Sequence, residues 1–138
     1  MPYIGTSNTI PGLFQSITID FGKSQTKPML QYKDGGEYKG IGYTEVYENT
    51  EVLALGLASM GVKRNDKIAI ISENRPEWIY FDNAILGLGG LDVPLYPILT
   101  ADTIEYSLND SESKGIVVST KFQLNKVLKI RDKCKKLE

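Results

Sequence analysis

The chain has 138 residues, of which 41% are hydrophobic and 24% are charged, and its formal net charge is −1. These values fit a single soluble domain with a packed core and argue against wholesale disorder. The sequence has no histidine and one cysteine, Cys134, which excludes an internal disulfide, a histidine-ligated metal site and a Ser–His or Cys–His catalytic pair.

The amino-terminal region predicts a helix and no export signal. Residues 1–3 begin no basic segment that leads into an apolar run, and the sequence nowhere holds the roughly 18 consecutive apolar residues of a membrane span. A cytoplasmic location is therefore expected. The apolar residues from Ile10 to Phe21 recur at helical spacing, which predicts an amphipathic helix that begins near Pro11.

A β-hairpin and a long helix are predicted next. Residues 29–32 and 38–41 are prone to form strands and flank the segment 33–37, in which two glycines supply positive φ. Thr44 is the predicted N-cap of the following helix, and Gly61 is its predicted end. The predicted buried stripe of this helix is Val46, Thr50, Leu53, Leu57 and Met60.

The next segment predicts a strand, a helix and a second strand. Residues 67–72 follow a turn at Asn65 and Asp66 and contain a continuous, isoleucine-rich apolar run at 68–71, which is typical of a strand inside a parallel sheet. Asn74 is the predicted N-cap of a helix, because Pro76 and an acidic residue follow in the first turn. The predicted inward residues of that helix are Trp78, Phe81, Ile85 and Leu88. Residues 91–93 are expected to form a strand that Pro94 ends.

The remaining elements continue the alternation. Thr100 is expected to cap a short helix that carries Ile104 and Leu108 and ends at a turn over residues 109–111. A third strand is predicted at 115–118, and a last helix is predicted with the apolar stripe Leu124, Val127 and Leu128. Alternating strands and helices with short links predict right-handed βαβ crossovers, so the expected fold class is α/β with a parallel βαβ layer, an N-terminal helix and a β-hairpin.

Four blocks of sequence stand out along the chain. They are Gly42-Tyr43-Thr44-Glu45 with Leu57-Ala58-Ser59-Met60-Gly61-Val62, Asn65-Asp66-Lys67-Ile68-Ala69-Ile70, Ser72-Glu73-Asn74-Arg75-Pro76-Glu77-Trp78, and Val93-Pro94-Leu95-Tyr96-Pro97 with Leu108-Asn109-Asp110-Ser111-Glu112-Ser113-Lys114. Together these blocks resemble the adenylate-forming, AMP-binding acyl-CoA synthetases, and among them the long-chain fatty acid ligases. The resemblance covers roughly residues 10 to 130, in the family's order and at similar spacings. Asp92 and Asn65 depart locally from the family's pattern.

This resemblance implies a fold, a reaction and a division of the chain. The division is an arm and helix at 1–27, a hairpin at 28–43 and the α/β layer of the AMP-binding N-terminal domain at 44–138. The family joins a fatty acid to the α-phosphate of ATP with Mg²⁺ assistance and releases diphosphate, after which the thiol of coenzyme A displaces AMP. The rest of the ligase chain is the implied partner.

The family's catalytic motifs do not occur in this sequence. The Ser/Thr/Gly-rich phosphate loop with its lysine, the Tyr-Gly-x-Thr-Glu segment, the ribose-binding aspartate and the late catalytic lysine are all missing. No catalytic, cofactor-binding or metal-binding residue is therefore assigned to a position here. The expectation is the N-terminal portion of a long-chain fatty acid–CoA ligase that is inactive alone.

Ligands of open α/β sheets bind beyond the carboxyl ends of the strands, which predicts a site among residues 72–75, 96–99 and 119–121. Arg75 could meet a phosphate there, or could pair with Glu73 or Glu77 as a surface cap. Tyr96 and Pro97 are interpreted either as pocket walls or as a rigid loop exit. Trp78 is interpreted either as core or as a cofactor contact.

The carboxy-terminal segment is basic. Residues 114–138 hold eight of the sixteen Lys and Arg and two of the seventeen Asp and Glu. This segment could attract nucleic acid or anionic lipid, or could form a solvated helix face. Cys134 lies among these lysines and is interpreted as a reactive thiolate or as a surface cysteine without a role.

Two further hypotheses follow. The alternative function is a free-standing, non-catalytic binding module whose basic tail holds an acidic protein or a membrane surface. An exposed sheet edge and exposed apolar surface also predict self-association.

Overall fold

The computed structural model describes residues 8–138, so the expectation drawn from residues 1–3 lies outside it. Its helices and strands alternate through most of this range. In chain order they are α1 (Ile10–Gln15), β1 (Leu30–Asp34), β2 (Glu37–Ile41), α2 (Tyr43–Ser59), β3 (Lys67–Ile71), α3 (Pro76–Gly87), β4 (Leu91–Leu95), α4 (Ala101–Ser111), β5 (Gly115–Val118) and α5 (Lys121–Ile130). A π-helical turn, Ser16–Phe21, prolongs α1, and short 3-10 turns follow at Gly22–Ser24 and Arg131–Lys133.

Strands β3, β4 and β5 form a parallel sheet in the order β4-β3-β5. The central strand pairs with both neighbours, and Ile70 lies beside Pro94 on one side and Val117 on the other. Strand β3 is buried because it is covered on both faces and both edges. The predicted α/β class with a parallel βαβ layer is confirmed.

Helices cover both faces of this sheet, and two apolar cores result. Ala69 and Ile71 of β3 pack against α4 and α5 on one face. Ile68 and Ile70 pack against α2 and α3 on the other face. Successive strand side chains point to opposite faces, so a strand between two helical layers needs apolar residues at every position.

The hairpin and α1 pack against a third, smaller core. Ile41, Val46 and Tyr80 form its buried centre, and Phe14 and Met29 pack against them. This cluster joins the amino-terminal elements to α2 and α3. The predicted N-terminal helix is therefore confirmed.

The hairpin turn is tighter than predicted. Gly35 and Gly36 alone connect β1 to β2, with φ of +59° and +91°. Two consecutive residues with positive φ are the signature of a type I′ turn, whose twist matches that of the flanking strands. The strands consequently run through the residues that were predicted to form a five-residue loop.

Helix α2 starts and ends differently from the prediction. It begins at Tyr43 with Gly42 as its N-cap, so Thr44 lies in the first turn and is not the cap. Met60, predicted to be buried, is 72% exposed because the helix has already ended at Ser59.

The predicted role of Gly61 is confirmed. Its φ is +89°, and its N–H donates to the carbonyl of Ala58 at 3.0 Å. The N–H of Val62 donates to the carbonyl of Leu57, also at 3.0 Å. This pair of bonds is a Schellman motif, which requires a left-handed residue at this position.

Three other boundaries move by one or more residues. Arg75, not Asn74, is the N-cap of α3, since Pro76 occupies the first helical position. Strand β4 continues through Pro94 to Leu95, because it is an edge strand and tolerates a missing donor. Helix α4 runs through the predicted turn and stops at Glu112, whose φ is +56°.

The predicted inward stripe of α3 is correct but incomplete. Trp78, Phe81 and Leu88 are partly buried against the core that contains Ile85. The prediction missed Tyr80, which is buried on the flank that faces the hairpin.

The predicted buried stripe of α5 is correct at Val127 and wrong at its other two positions. Leu124 and Leu128 are exposed, and the buried stripe consists of Gln123, Val127 and Ile130. Cys134 continues this stripe and is 6% exposed. Burial raises the pKa of the Cys134 thiol, so it is neither a reactive thiolate nor a surface cysteine.

Candidate functional site

The loops after β3, β4 and β5 meet at one edge of the sheet, as predicted. Gln123 Nε2 donates to the Glu73 carboxylate at 3.2 Å and to the carbonyl oxygen of Pro97 at 3.1 Å. The Ser119 hydroxyl donates to the same carboxylate of Glu73. One buried glutamine thus joins the three segments that sequence reasoning placed separately.

Two side chains of this edge were not identified from the sequence. Gln123 is buried in the first turn of α5, where the Thr120 hydroxyl accepts from its backbone N–H at 3.3 Å. Lys126, one turn later, donates to the carbonyls of Pro97 and Leu99 at 2.9 and 2.8 Å. The sequence signal was their i, i+3 spacing after a threonine cap, which puts both side chains near the carboxyl ends of the strands.

Glu73 is ionised at this edge. The hydrogen bond from Ser119 is the largest cause that lowers the Glu73 carboxyl pKa, followed by its own backbone N–H and then Gln123. These donors favour the charged form of the carboxylate. Glu73 is therefore a fixed acceptor that holds loops together.

Arg75 is paired, as its structural interpretation proposed. Its Nε and Nη2 donate to the two carboxylate oxygens of Glu77 at 2.7 and 2.8 Å, and its Nη1 lies 3.5 Å from the carbonyl of Ser119. The hydrogen bond with Glu77 lowers the pKa of that carboxyl and raises the pKa of Arg75. This pairing supports the interpretation of Arg75 as a surface cap.

A small cavity of about 160 Å³ lies where the ends of β3 and β5 meet α3. Its apolar wall includes Ile70, Trp78, Phe81 and Val117, while Ser119 contributes to its polar rim. Trp78 also packs into the core between α2, α3 and the sheet. The structure supports its interpretation as a core residue.

The segment after β4 is a turn with an outward tip. The N–H of Leu99 donates to the carbonyl of Tyr96 at 3.2 Å. The carbonyl oxygen of Pro97 accepts hydrogen bonds from the side chains of Gln123 and Lys126. Tyr96 itself is exposed. These contacts support the interpretation as a rigid loop exit.

The opposite edge of the sheet holds two residues from the resemblance blocks. Lys114 Nζ lies 3.2 Å from Asp66 Oδ2 and also donates to the Gly61 carbonyl at 3.2 Å. The N–H of Lys63 donates to Asp66 at 2.8 Å, and this bond is the largest cause that lowers the pKa of Asp66. The motif residues Asp66 and Lys114 therefore join the turns before β3 and β5 and have a structural role.

A pair of carboxyls lies between α3 and β4. Burial raises the pKa of Asp82 to about 6, and the nearby Asp92 adds to this effect. Like charges this close disfavour ionisation of both carboxyls, so Asp82 holds its proton to a higher pH than an isolated carboxyl.

Within residues 8–138, no group of three His, Cys, Asp or Glu side chains is arranged to hold a metal ion. No helix in this range combines the length and apolar character that crossing a bilayer requires.

Sequence comparison identifies relatives over nearly the whole chain. Residues 21–138 match the family model described as "AMP-binding enzyme". A long-chain-fatty-acid–CoA ligase of Xenopus laevis is 29% identical over 124 residues, which cover 90% of this chain and 16% of the relative. A 4-hydroxybutyrate–CoA ligase of Metallosphaera sedula is 36% identical over 93 residues, which cover 67% of this chain and 17% of the relative.

Structure comparison agrees. A crystal structure of a long-chain-fatty-acid–CoA ligase from Archaeoglobus fulgidus superposes with a TM-score of 0.80 at 17% identity, covering 100% of this chain and 28% of that one. At this identity the likeness shows the fold. The chain spans about a sixth of the length of the two curated relatives described above.

Proposed function

Because this chain belongs to the AMP-binding enzyme family, we propose that it is the N-terminal portion of a long-chain fatty acid–CoA ligase. The parent would convert a fatty acid and ATP into acyl-adenylate and diphosphate, and then convert acyl-adenylate and CoA into acyl-CoA and AMP. The observation that carries this proposal is similarity along 90% of the chain to a relative named for that activity. The parent is thus assigned to ATP-dependent lipid metabolism.

The relatives of this chain are named for acids of different length. The Metallosphaera sedula relative is named for 4-hydroxybutyrate, a short acid. The long-chain assignment is supported by the sequence motif at residues 74–78, Asn-Arg-Pro-Glu-Trp, and by the name of the Xenopus laevis relative. Acyl chain length is expected to be selected by parts of the parent outside this chain.

We propose that ATP, Mg²⁺ and CoA bind in the remainder of the parent. The proposal is supported by the lack of the family's phosphate loop in this sequence and by the pairing of Arg75 with Glu77. The proposal also divides the chain into an arm and helix at 1–27, a hairpin at 28–43 and an α/β layer at 44–138.

We also propose a cytoplasmic location. The support is the sequence, since a chain with one cysteine cannot use the internal disulfides that stabilise many exported domains.

The first prediction is that the 138-residue chain is inactive alone. Purified protein is expected to give no ATP–diphosphate exchange above background with palmitate and Mg²⁺, because no phosphate loop is present to position the nucleotide. A full-length long-chain ligase assayed alongside is the positive control. Exchange that copurifies with the folded 138-residue chain would overturn the prediction.

Sequencing the source gene beyond the codon for Glu138 separates this proposal from its competitor. An open frame that leads into a Ser/Thr/Gly-rich loop with a lysine supports the ligase parent. A stop codon supports the second candidate, a free-standing binding module with a ligase-like fold. The observation that favours the module is the exposed basic segment at the end of the chain.

A further inference from the structure

The outward side of α5 combines exposed apolar side chains with lysines. Lys121, Leu124 and Leu128 are spaced i, i+3 and i+7, so they share one side of the helix. Phe122 and Lys129 have the same i, i+7 relation on the adjoining side. Phe122 is 69% exposed and Leu128 is 56% exposed, although each is large enough to be useful in a core.

This side of α5 continues into the turn after β4 through Lys126. The Lys126 ammonium lies 5.2 Å from the centroid of the Phe122 ring and donates to the carbonyls of Pro97 and Leu99. Between those two residues, Ile98 is 88% exposed. The Lys126 ammonium therefore contacts both the Phe122 ring and the loop whose exposed tip is Ile98.

The charge in this region is strongly positive. Residues 121–138 contain seven Lys and Arg and two Asp and Glu, whereas the remainder of the chain has nine basic and fifteen acidic residues. Among the residues that the structure describes, five exposed cations of this segment take part in no ion pair: Lys121, Lys129, Arg131, Lys135 and Lys136. The carboxy-terminal segment is thus net positive, and the remainder of the chain is net negative.

We propose that the basic apolar surface, formed by Ile98, Phe122, Leu124, Leu128 and these five cations, docks on an anionic lipid membrane. Apolar side chains interleaved with lysines suit the boundary between headgroups and acyl chains, because the side chains insert while the ammonium groups meet lipid phosphates. Each added cation near such a surface strengthens binding several-fold.

Two other polyanions fit the surface less well. Sequence-independent binding of single-stranded nucleic acid uses a series of aromatic rings, and Phe122 is the one aromatic residue of 121–138. Binding to an acidic protein would use the lysines but would give no reason for exposing Ile98 and Leu128 together. Neither argument depends on the ligase parent, so the inference can fail or succeed independently of the proposed function.

The test is cosedimentation of the 138-residue chain with vesicles, without substrates. One set of vesicles contains phosphatidylcholine alone, and the other contains equal parts of phosphatidylcholine and phosphatidylglycerol. Binding is expected to the anionic vesicles at low salt and to weaken as ionic strength rises, since the Debye length falls from about 30 Å at 0.01 M to about 10 Å at 0.1 M.

Charge variants locate the contact. Lys121→Glu with Lys129→Glu is expected to weaken binding by about tenfold or more. Lys27→Glu with Lys33→Glu changes the net charge equally at exposed positions elsewhere and is expected to change binding much less. Equal losses in the two pairs would show attraction by net charge alone and overturn the proposed surface.

Apolar variants separate a lipid surface from a general polyanion. Ile98→Ser with Phe122→Ser is expected to weaken vesicle binding by about tenfold, whereas Val52→Ser with Leu55→Ser on exposed positions of α2 is expected to leave it unchanged. Circular dichroism checks that every variant folds. The proposal is wrong if the folded wild-type chain does not bind anionic vesicles, or if Ile98→Ser with Phe122→Ser binds them as well as wild type.

Discussion

At the scale of the residue, the polar side chains of the sheet edge act as structural links. Glu73 accepts from Ser119 and Gln123, and Arg75 is held by Glu77. Arg75, which sequence reasoning considered for phosphate binding, is thus paired within the protein, whereas Tyr96 is exposed. The edge is therefore a fixed frame that orients loops.

Asp82 provides a pH-dependent prediction at this scale. Its pKa is raised from 3.8 to about 6 by burial and by Asp92. Because the folded chain favours the protonated form of Asp82, this carboxyl stabilises the fold fully only at pH values below its unfolded-state pKa. The stabilisation is lost as the pH rises through the folded-state pKa of about 6. Asp82→Asn is therefore expected to stabilise the chain at pH 8 by on the order of 1 kcal/mol, a value discounted for partial exposure, and to lose this advantage below about pH 4.

The measurement is urea unfolding at several pH values, followed by the fluorescence of Trp78, the single tryptophan. Asp20→Asn at an exposed position is the control for a change of net charge. A stabilisation by Asp82→Asn that is the same at pH 4 and pH 8 would contradict the assignment.

At the scale of the element, helix ends depend on backbone conformation more than on available space. At both Gly56 and Gly61 an added Cβ would meet no atom within 4 Å. Gly56 lies inside α2, whereas Gly61 has φ of +89° just after it. The two positions therefore isolate the effect of a left-handed backbone.

The two glycines predict opposite effects of alanine. Gly61→Ala is expected to destabilise the chain by about 1 to 2 kcal/mol, because a Cβ is unfavourable in the left-handed region. Gly56→Ala is expected to stabilise it by about 0.5 to 1 kcal/mol, since alanine has the higher helix propensity. Urea unfolding measures both, and a shift of equal sign in the two variants would be inconsistent with the described helix end.

At the scale of the whole molecule, the two outer strands of the parallel sheet each have one side without a strand partner within the described range. Strands β4 and β5 each pair with β3 alone. Leu91 at the start of β4 is exposed, and the side chains of β5 are half-buried. Unpaired backbone donors and acceptors beside apolar side chains favour pairing with another strand.

Self-association is the prediction at this scale. The mass measured by light scattering is expected to rise with protein concentration, and Leu91→Lys is expected to reduce the rise because a charge blocks one edge. Leu55→Lys, at an exposed position of α2, is the matched control. A monomer mass that is independent of concentration in the wild-type chain would refute the prediction.

Sequence by itself determined the parts of the protein that local chemistry specifies. The apolar run of β3 required a buried strand, Thr100 capped α4, and Gly61 ended α2. The family blocks rest on the same turns, caps and buried strands, so they identified the fold without any catalytic residue. The convergence of the three loops followed from the parallel direction of the strands.

Tertiary structure alone decided which face of α5 is buried. Two faces of this helix carry apolar residues, and the face with Leu124 and Leu128 is the more apolar in sequence, so it is the one predicted to be buried. The structure buries Gln123 because Glu73 and Pro97, distant in sequence, satisfy its amide N–H groups. Periodicity cannot reveal such partners, and for the same reason the burial of Cys134 and the pairing of Asp82 with Asp92 became visible only in the folded chain.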